Sequence, residues 1–226
     1  MVARPSVPIA ALMALVLVVL GTAVPARAQM PATDPVVVGD PKAPIEVEIY
    51  IQATCSACRS LFTTLYDDGR DDGAARSLDG PLRAGAYRIT VHPVYYRPVD
   101  LWADMLARCS TDYAETMWRV LQVQNALVGG MVHPRKGAAF EKRIVLQPTD
   151  LTIKMLRALT VPDLIGDKRF DACIGDKALA KILYDQSEAR RAEMAIEATP
   201  VLMLGEARYE GSMEAMRAMW VALGID

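Results

Sequence analysis

The feature that most restricts the fold is a seven-residue alternation, Ile45-Glu46-Val47-Glu48-Ile49-Tyr50-Ile51, that runs almost directly into Cys55-Ser56-Ala57-Cys58. Alternation with period two, rich in β-branched residues, predicts a strand with one buried face. Beyond the cysteines, Ser60 to Tyr66 carries Leu61, Phe62 and Leu65 on one helical face. The pair therefore stands where a strand ends and a helix begins. There the first cysteine faces the unpaired N–H groups and the positive dipole end of the helix, which stabilises a thiolate, the reactive form. A two-residue spacer brings Cys58 one turn on, close enough to close a small disulfide ring. Cys55 is then the exposed nucleophile and Cys58 the less exposed resolving thiol.

Two other uses of such a pair are weaker. A purely stabilising bridge over so short a loop removes little chain entropy. Zinc needs four ligands; the other cysteines, Cys109 and Cys173, are single and distant, and His92 and His133 lack ligand spacing. No metal and no organic cofactor are expected. The alternative from another class is a periplasmic Cu(I)-binding module, since soft thiolates suit that ion. A third is a redox-inactive adaptor that binds peptides beside Pro200.

The first residues set the compartment. Arg4 is followed by an apolar run from Pro8 to Val24 that closes on Ala26-Arg27-Ala28, a small-x-small cleavage pattern. Residues 1–28 are therefore expected to be a signal peptide cut near Ala28, with a retained anchor as the rival reading. Export to the periplasm follows. Losing Arg4 and Arg27 takes the 25 basic side chains to 23 against 27 acidic ones, a balance that gives nucleic acid no purchase. No later segment is apolar and long enough for stable membrane insertion. All four cysteines lie after the cleavage point, and an even number in an exported chain favours disulfides, with three pairings open.

Along the chain, residues 29–42 are Pro-rich and polar and read as a flexible leader. Residues 43–99 hold the first strand, the cysteine-bearing helix, an Asp/Gly-rich loop over 67–86 and a second strand, Tyr87 to Val94, ended near Pro93. Residues 100–190 are mostly helical. Leu101, Met105, Leu106, Cys109, Tyr113, Met117, Val120 and Leu121 recur at three- and four-residue spacing; Gly129-Gly130 and Pro134 interrupt. A helix over 149–160 and one from Pro162 through Cys173 follow, then a helix over 176–195 with Leu179, Ile182, Leu183 and Met194 inward. Residues 191–226 add the strands 201–204 and 208–210 and a helix capped by Ser212 that buries Met216, Met219, Trp220 and Leu223. The order is βαβ, a helical block, then ββα. That is an α/β fold carrying a helical insertion.

Ala198-Thr199-Pro200 directly precedes the strand at 201–204, and Pro can simply start a strand. Taken with Gly39-Asp40-Pro41-Lys42-Ala43-Pro44, Thr54-Cys55-Ser56-Ala57-Cys58, Met105 to Cys109, Phe170 to Cys173 and Tyr209-Glu210-Gly211, it resembles the DsbA-like branch of the thioredoxin superfamily. The resemblance implies a thioredoxin-like fold with an inserted helical domain and disulfide exchange with exported proteins that carry thiols or disulfides. It implies a membrane redox partner, a cis bond at Pro200, substrate binding at Thr199 and Pro200, and a structural Cys109–Cys173 disulfide. Such a bridge would stabilise the helical domain by roughly 3–4 kcal/mol.

Two positions depart from the family. The spacer is Ser56-Ala57 where strong oxidants carry Pro-His, so the Cys55 thiolate has no extra cation or donor from the spacer and a weaker oxidant is expected. Ile49 stands where many relatives bury an acid, and Glu46 and Glu48 point to the opposite face. The methionines read as packing, and Trp102 and Trp118 as residues of the helical domain.

Overall fold

The computed structural model describes residues 35–66, 78–129 and 150–224. The expected signal peptide, residues 29–34 of the leader, residues 67–77 of the Asp/Gly-rich loop, Gly130, His133 and Pro134 lie outside the described residues. Among those described, no helix is long and apolar enough to cross a membrane.

The central strand is the alternating segment itself, β2 (Ile45–Ile51), and β3 (Tyr87–Pro93) runs parallel to it, Ile49 opposite Val91. A short strand at Val36–Gly39, β1, pairs antiparallel with the outer side of β3. This corrects the flexible leader over 29–42. Three consecutive valines there are strand formers, and the free edge of β3 supplies the hydrogen bonds that a four-residue strand cannot make alone. Gly39 ends it at φ 94; a Cβ there would stand 2.7 Å from Leu82 Cδ1.

On the other side of β2 lie β4 (Val201–Leu204) and β5 (Ala207–Glu210), giving the order β1-β3-β2-β4-β5. α1 (Ser56–Leu65) is the crossover between the parallel strands and buries Cys58, Leu61, Phe62 and Leu65. α2 (Asp79–Arg83) occupies part of the stretch read as loop; Leu82 is its buried anchor, which the surrounding Asp and Gly residues obscured.

The helical part comprises α3 (Pro98–Cys109), α4 (Tyr113–Gln122), α5 (Gln124–Gly129), α6 (Asp150–Thr160), α7 (Asp167–Ile174) and α8 (Lys177–Glu193). The continuous pattern from 100 to 126 is thus three helices, because Asp112 caps α4 through the Glu115 N–H. The helix expected from Pro162 is split. A wide turn at Val161–Ile165 ends at Gly166, φ 73, before α7 starts. α3 is the hub, buried from Val99 to Cys109 and packed against α4, α7 and α8. At its far end Cys109 and Cys173 are joined, with Cα atoms 6.4 Å apart.

Three smaller expectations fail. Ile182 on α8 is 44% exposed, because that helix buries only the Leu179, Leu183 and Ser187 line. α9 (Ser212–Ala222) is preceded by Gly211 at φ 84 with no side-chain cap, so Ser212 is its first residue and not its cap. Met216 and Met219 are buried there as expected, while Trp220 and Leu223 are only partly covered.

Candidate functional site

After Ile51 the chain makes a tight turn in which the Cys55 N–H donates to the Gln52 carbonyl at 3.1 Å. That turn delivers Cys55 in an extended conformation (φ −96, ψ 120) as the residue capping α1. Its Sγ accepts the Cys58 backbone N–H at 3.1 Å, so the helix end supplies a direct donor to sulfur. The Cys55 thiol in turn donates to the Thr199 carbonyl at 3.3 Å. Both cysteines are free thiols; Cys55 is part-exposed and Cys58 is fully buried.

Their acidities are driven apart. Hydrogen bonding from Cys58, helped by Thr199 and the Ala57 and Cys58 amides, lowers the Cys55 pKa to about 6 against an opposing burial penalty. Burial, and the hydrogen bond to a Cys55 sulfur that takes the charge, push Cys58 well above the ordinary thiol range. One sulfur is prepared to be a thiolate and its neighbour to hold its proton. Among the described residues, no group of three or more His, Cys, Asp or Glu side chains could hold a metal ion.

The peptide bond between Thr199 and Pro200 is cis, and Pro200 is buried at the head of β4. The Pro200 carbonyl accepts the Gly211 N–H at 3.1 Å, which ties this segment to the turn before α9. The structure therefore brings Thr199 against Cys55 across 144 residues of sequence, with Pro200 following it at the head of β4. Cys109 and Cys173 sit apart, bonded to each other in the helical part.

Ile49 is fully buried in β2. The two glutamates of that strand are engaged on the opposite face. Glu46 binds Arg88 and Thr90, and Glu48 accepts from the Nε2 of buried His92, whose ring stacks on Tyr50 with centroids 4.6 Å apart. A buried carboxylate does lie beside the redox turn, but it comes from α3. Asp100, 2% exposed, accepts the Thr54 N–H at 3.0 Å on Oδ1 and the Gln52 Nε2 at 3.0 Å on Oδ2. Sequence reading missed Asp100 and Gln52. The one available signal, an acid in the first turn of a helix opened by Pro98, is what any capping residue looks like.

Residues 32–219 match the family described as Thioredoxin. The chain belongs to the thioredoxin family. No curated protein matches this thioredoxin-family chain in sequence. Among solved structures, alpha-DsbA1 of Wolbachia pipientis is 17% identical with a TM-score of 0.57, covering 87% of this chain and 92% of that one. The protein-disulfide isomerase of Novosphingobium aromaticivorans is 14% identical with a TM-score of 0.60, covering 84% and 97%. DsbA of Chlamydia trachomatis is 18% identical with a TM-score of 0.55, covering 83% and 90%. At such identities the likeness is one of fold: a DsbA-like thioredoxin sheet interrupted by a helical block.

Proposed function

We propose that this protein is an exported thiol:disulfide oxidoreductase that exchanges disulfides with protein substrates through Cys55 and Cys58. The observation that carries the reading is the Cys55 sulfur at the start of α1, with the Cys58 N–H at 3.1 Å and its pKa lowered to about 6 beside a Cys58 held protonated. In the reducing direction the Cys55 thiolate attacks one sulfur of a substrate disulfide, a mixed disulfide forms and the second substrate sulfur leaves as thiolate. Cys58 then attacks Cys55 Sγ, its proton passing to the departing substrate sulfur, and the Cys55–Cys58 disulfide closes. The same steps in reverse oxidise a substrate dithiol.

Thr199 and Pro200 form the platform for the extended substrate segment, as the Thr199 carbonyl already faces Cys55. The expected substrates are exported proteins with thiols or disulfides, and a membrane redox partner resets the dithiol in the periplasm after the signal peptide is cut near Ala28. A low pKa of the leaving thiol raises oxidising power. A Cys55 pKa of about 6 lies between the ~7 of reducing thioredoxins and the ~3.5 of the strongest oxidants, so this protein is the weaker oxidant.

Equilibration with glutathione tests the reading. The expected reduction potential lies between roughly −270 mV and −120 mV. Insulin reduction should be catalysed by the wild type and abolished by Cys55→Ser. Full biological function after Cys55→Ser, or stoichiometric copper without exchange activity, would overturn it.

A further inference from the structure

Asp100 does more than cap a helix. As the third residue of α3 its Oδ2 accepts the Arg97 N–H at 2.8 Å and the Tyr96 N–H at 3.2 Å, and the Arg97 bond alone would complete the cap. The two remaining donors, the Thr54 N–H and the Gln52 amide, come from 46 and 48 residues earlier. They belong to the turn closed by the bond from the Cys55 N–H to the Gln52 carbonyl. Gln52 Nε2 also reaches Thr54 Oγ1 at 2.7 Å, and the Gln52 backbone hydrogen-bonds Cys58. One carboxylate thus grips both sides of the turn that sets the position of Cys55.

Its hydrogen-bond donors are all neutral. Asp104, one turn along α3, is committed to Arg108, Tyr95 and Tyr113. Burial without a counter-charge pushes Asp100 up to about 6, against the pull of its hydrogen bonds from Thr54, Gln52 and Arg97.

We propose that Asp100 is a positioning residue for Cys55, its ionised carboxylate holding the Gln52–Cys55 turn so that the Cys55 sulfur stays on the donors that stabilise its thiolate. The inference rests on Cys55 being the exchange nucleophile. It also makes the two groups titrate together: protonating Asp100 loosens the turn, and a loosened turn favours the Cys55 thiol. The other titratable and charged groups next to the turn on α1 and α3 include Cys58, which stays protonated, Arg59, Tyr95, Tyr96, Arg97 and the Asp104–Arg108 pair. A through-space charge effect runs the opposite way, since a negative Asp100 would raise the Cys55 pKa.

The sign of the shift decides between these. Thiolate absorbance of the reduced protein, followed against pH, should rise more steeply than a one-proton curve in the wild type. Asp100→Asn should move the Cys55 midpoint upward by about half to one unit, leaving about two- to fivefold less thiolate at pH 6. It should also restore a one-proton slope. An unmoved or lowered midpoint would overturn the proposal. Gln52→Leu, which keeps the carboxylate but removes one of its donors, should give a smaller upward shift if Asp100→Asn does not fold; no shift would again overturn it. Failure of the wild type to reduce insulin would count against disulfide exchange alone, because the thiolate titration needs no substrate.

Discussion

α3 carries two buried aspartates one helical turn apart, Asp100 in its first turn and Asp104 at its middle, and they are treated in opposite ways. At the N-terminal end Asp100 meets four neutral donors, and its carboxyl is pushed up to about 6. Toward the C-terminal end Asp104 meets the Arg108 guanidinium at 2.7 Å, with both side chains fully buried, and the hydroxyls of Tyr95 and Tyr113 at 2.6 and 2.8 Å. Next to Arg108 stands Cys109, bonded to Cys173. One end is a closed, charge-balanced anchor; the other is a poised group pressed against the reactive turn. A buried charge whose partner is fixed serves cohesion, while one left with neutral donors retains a proton equilibrium near neutral pH.

The comparison is most easily broken at the anchored end. Asp104→Asn removes the carboxylate that faces the buried Arg108 guanidinium and should cost about 3–5 kcal/mol, read by denaturant unfolding. It should not move the Cys55 thiolate titration. The Cys109→Ser/Cys173→Ser double variant opens a loop across a sequence separation of 64 and should cost roughly 3–4 kcal/mol while insulin reduction persists at an unchanged rate per folded molecule. Lost activity in the folded fraction would mean that the second disulfide is not merely structural.

At the poised end the order of effects inverts. Asp100→Asn removes a buried charge that has no counter-ion, so unfolding at pH 7 should change by only about 1 kcal/mol, far less than for Asp104→Asn. A loss as large as that of Asp104→Asn would erase the distinction between the two ends. The sign with pH is also fixed. Because its folded pKa is raised, Asp100 contributes stability that is present below the ordinary value of 3.8 and lost as pH rises through about 6.

A further effect concerns Cys55. Its folded pKa is lowered, so its contribution to the reduced protein is present above the ordinary 9.0 and lost as pH falls through about 6. The reduced protein should therefore gain stability over the disulfide form as pH rises from 6 to 9, a difference that thermal unfolding of the two forms would show. Parallel melting curves across that range would remove Cys55 as the poised thiol.

Much of the sheet was legible because burial on a strand is written residue by residue. Ile45–Ile51 and Tyr87–Pro93 begin and end where their patterns do. β1 was not legible. Val36 to Val38 form a strand only because the edge of β3 is available, a fact no local window contains. α3 was misleading in a different way. Asp100, Asp104 and Arg108 fall at four-residue spacing, the mark of a solvated stripe, yet the helix is buried on all sides. Its polar line faces the redox turn and two tyrosines instead of water.

The sequence by itself determined the chemistry confined to one helical turn. Two cysteines three residues apart at the start of a helix must share its N–H groups, since backbone geometry alone puts the Cys58 amide on the Cys55 sulfur. What only the tertiary structure decided is the surroundings of that pair. Thr199 arrives across 144 residues, Asp100 across 46, and Cys173 reaches Cys109 across 64. Such contacts depend on how the sheet closes and the helices pack, and residue spacing carries no record of that.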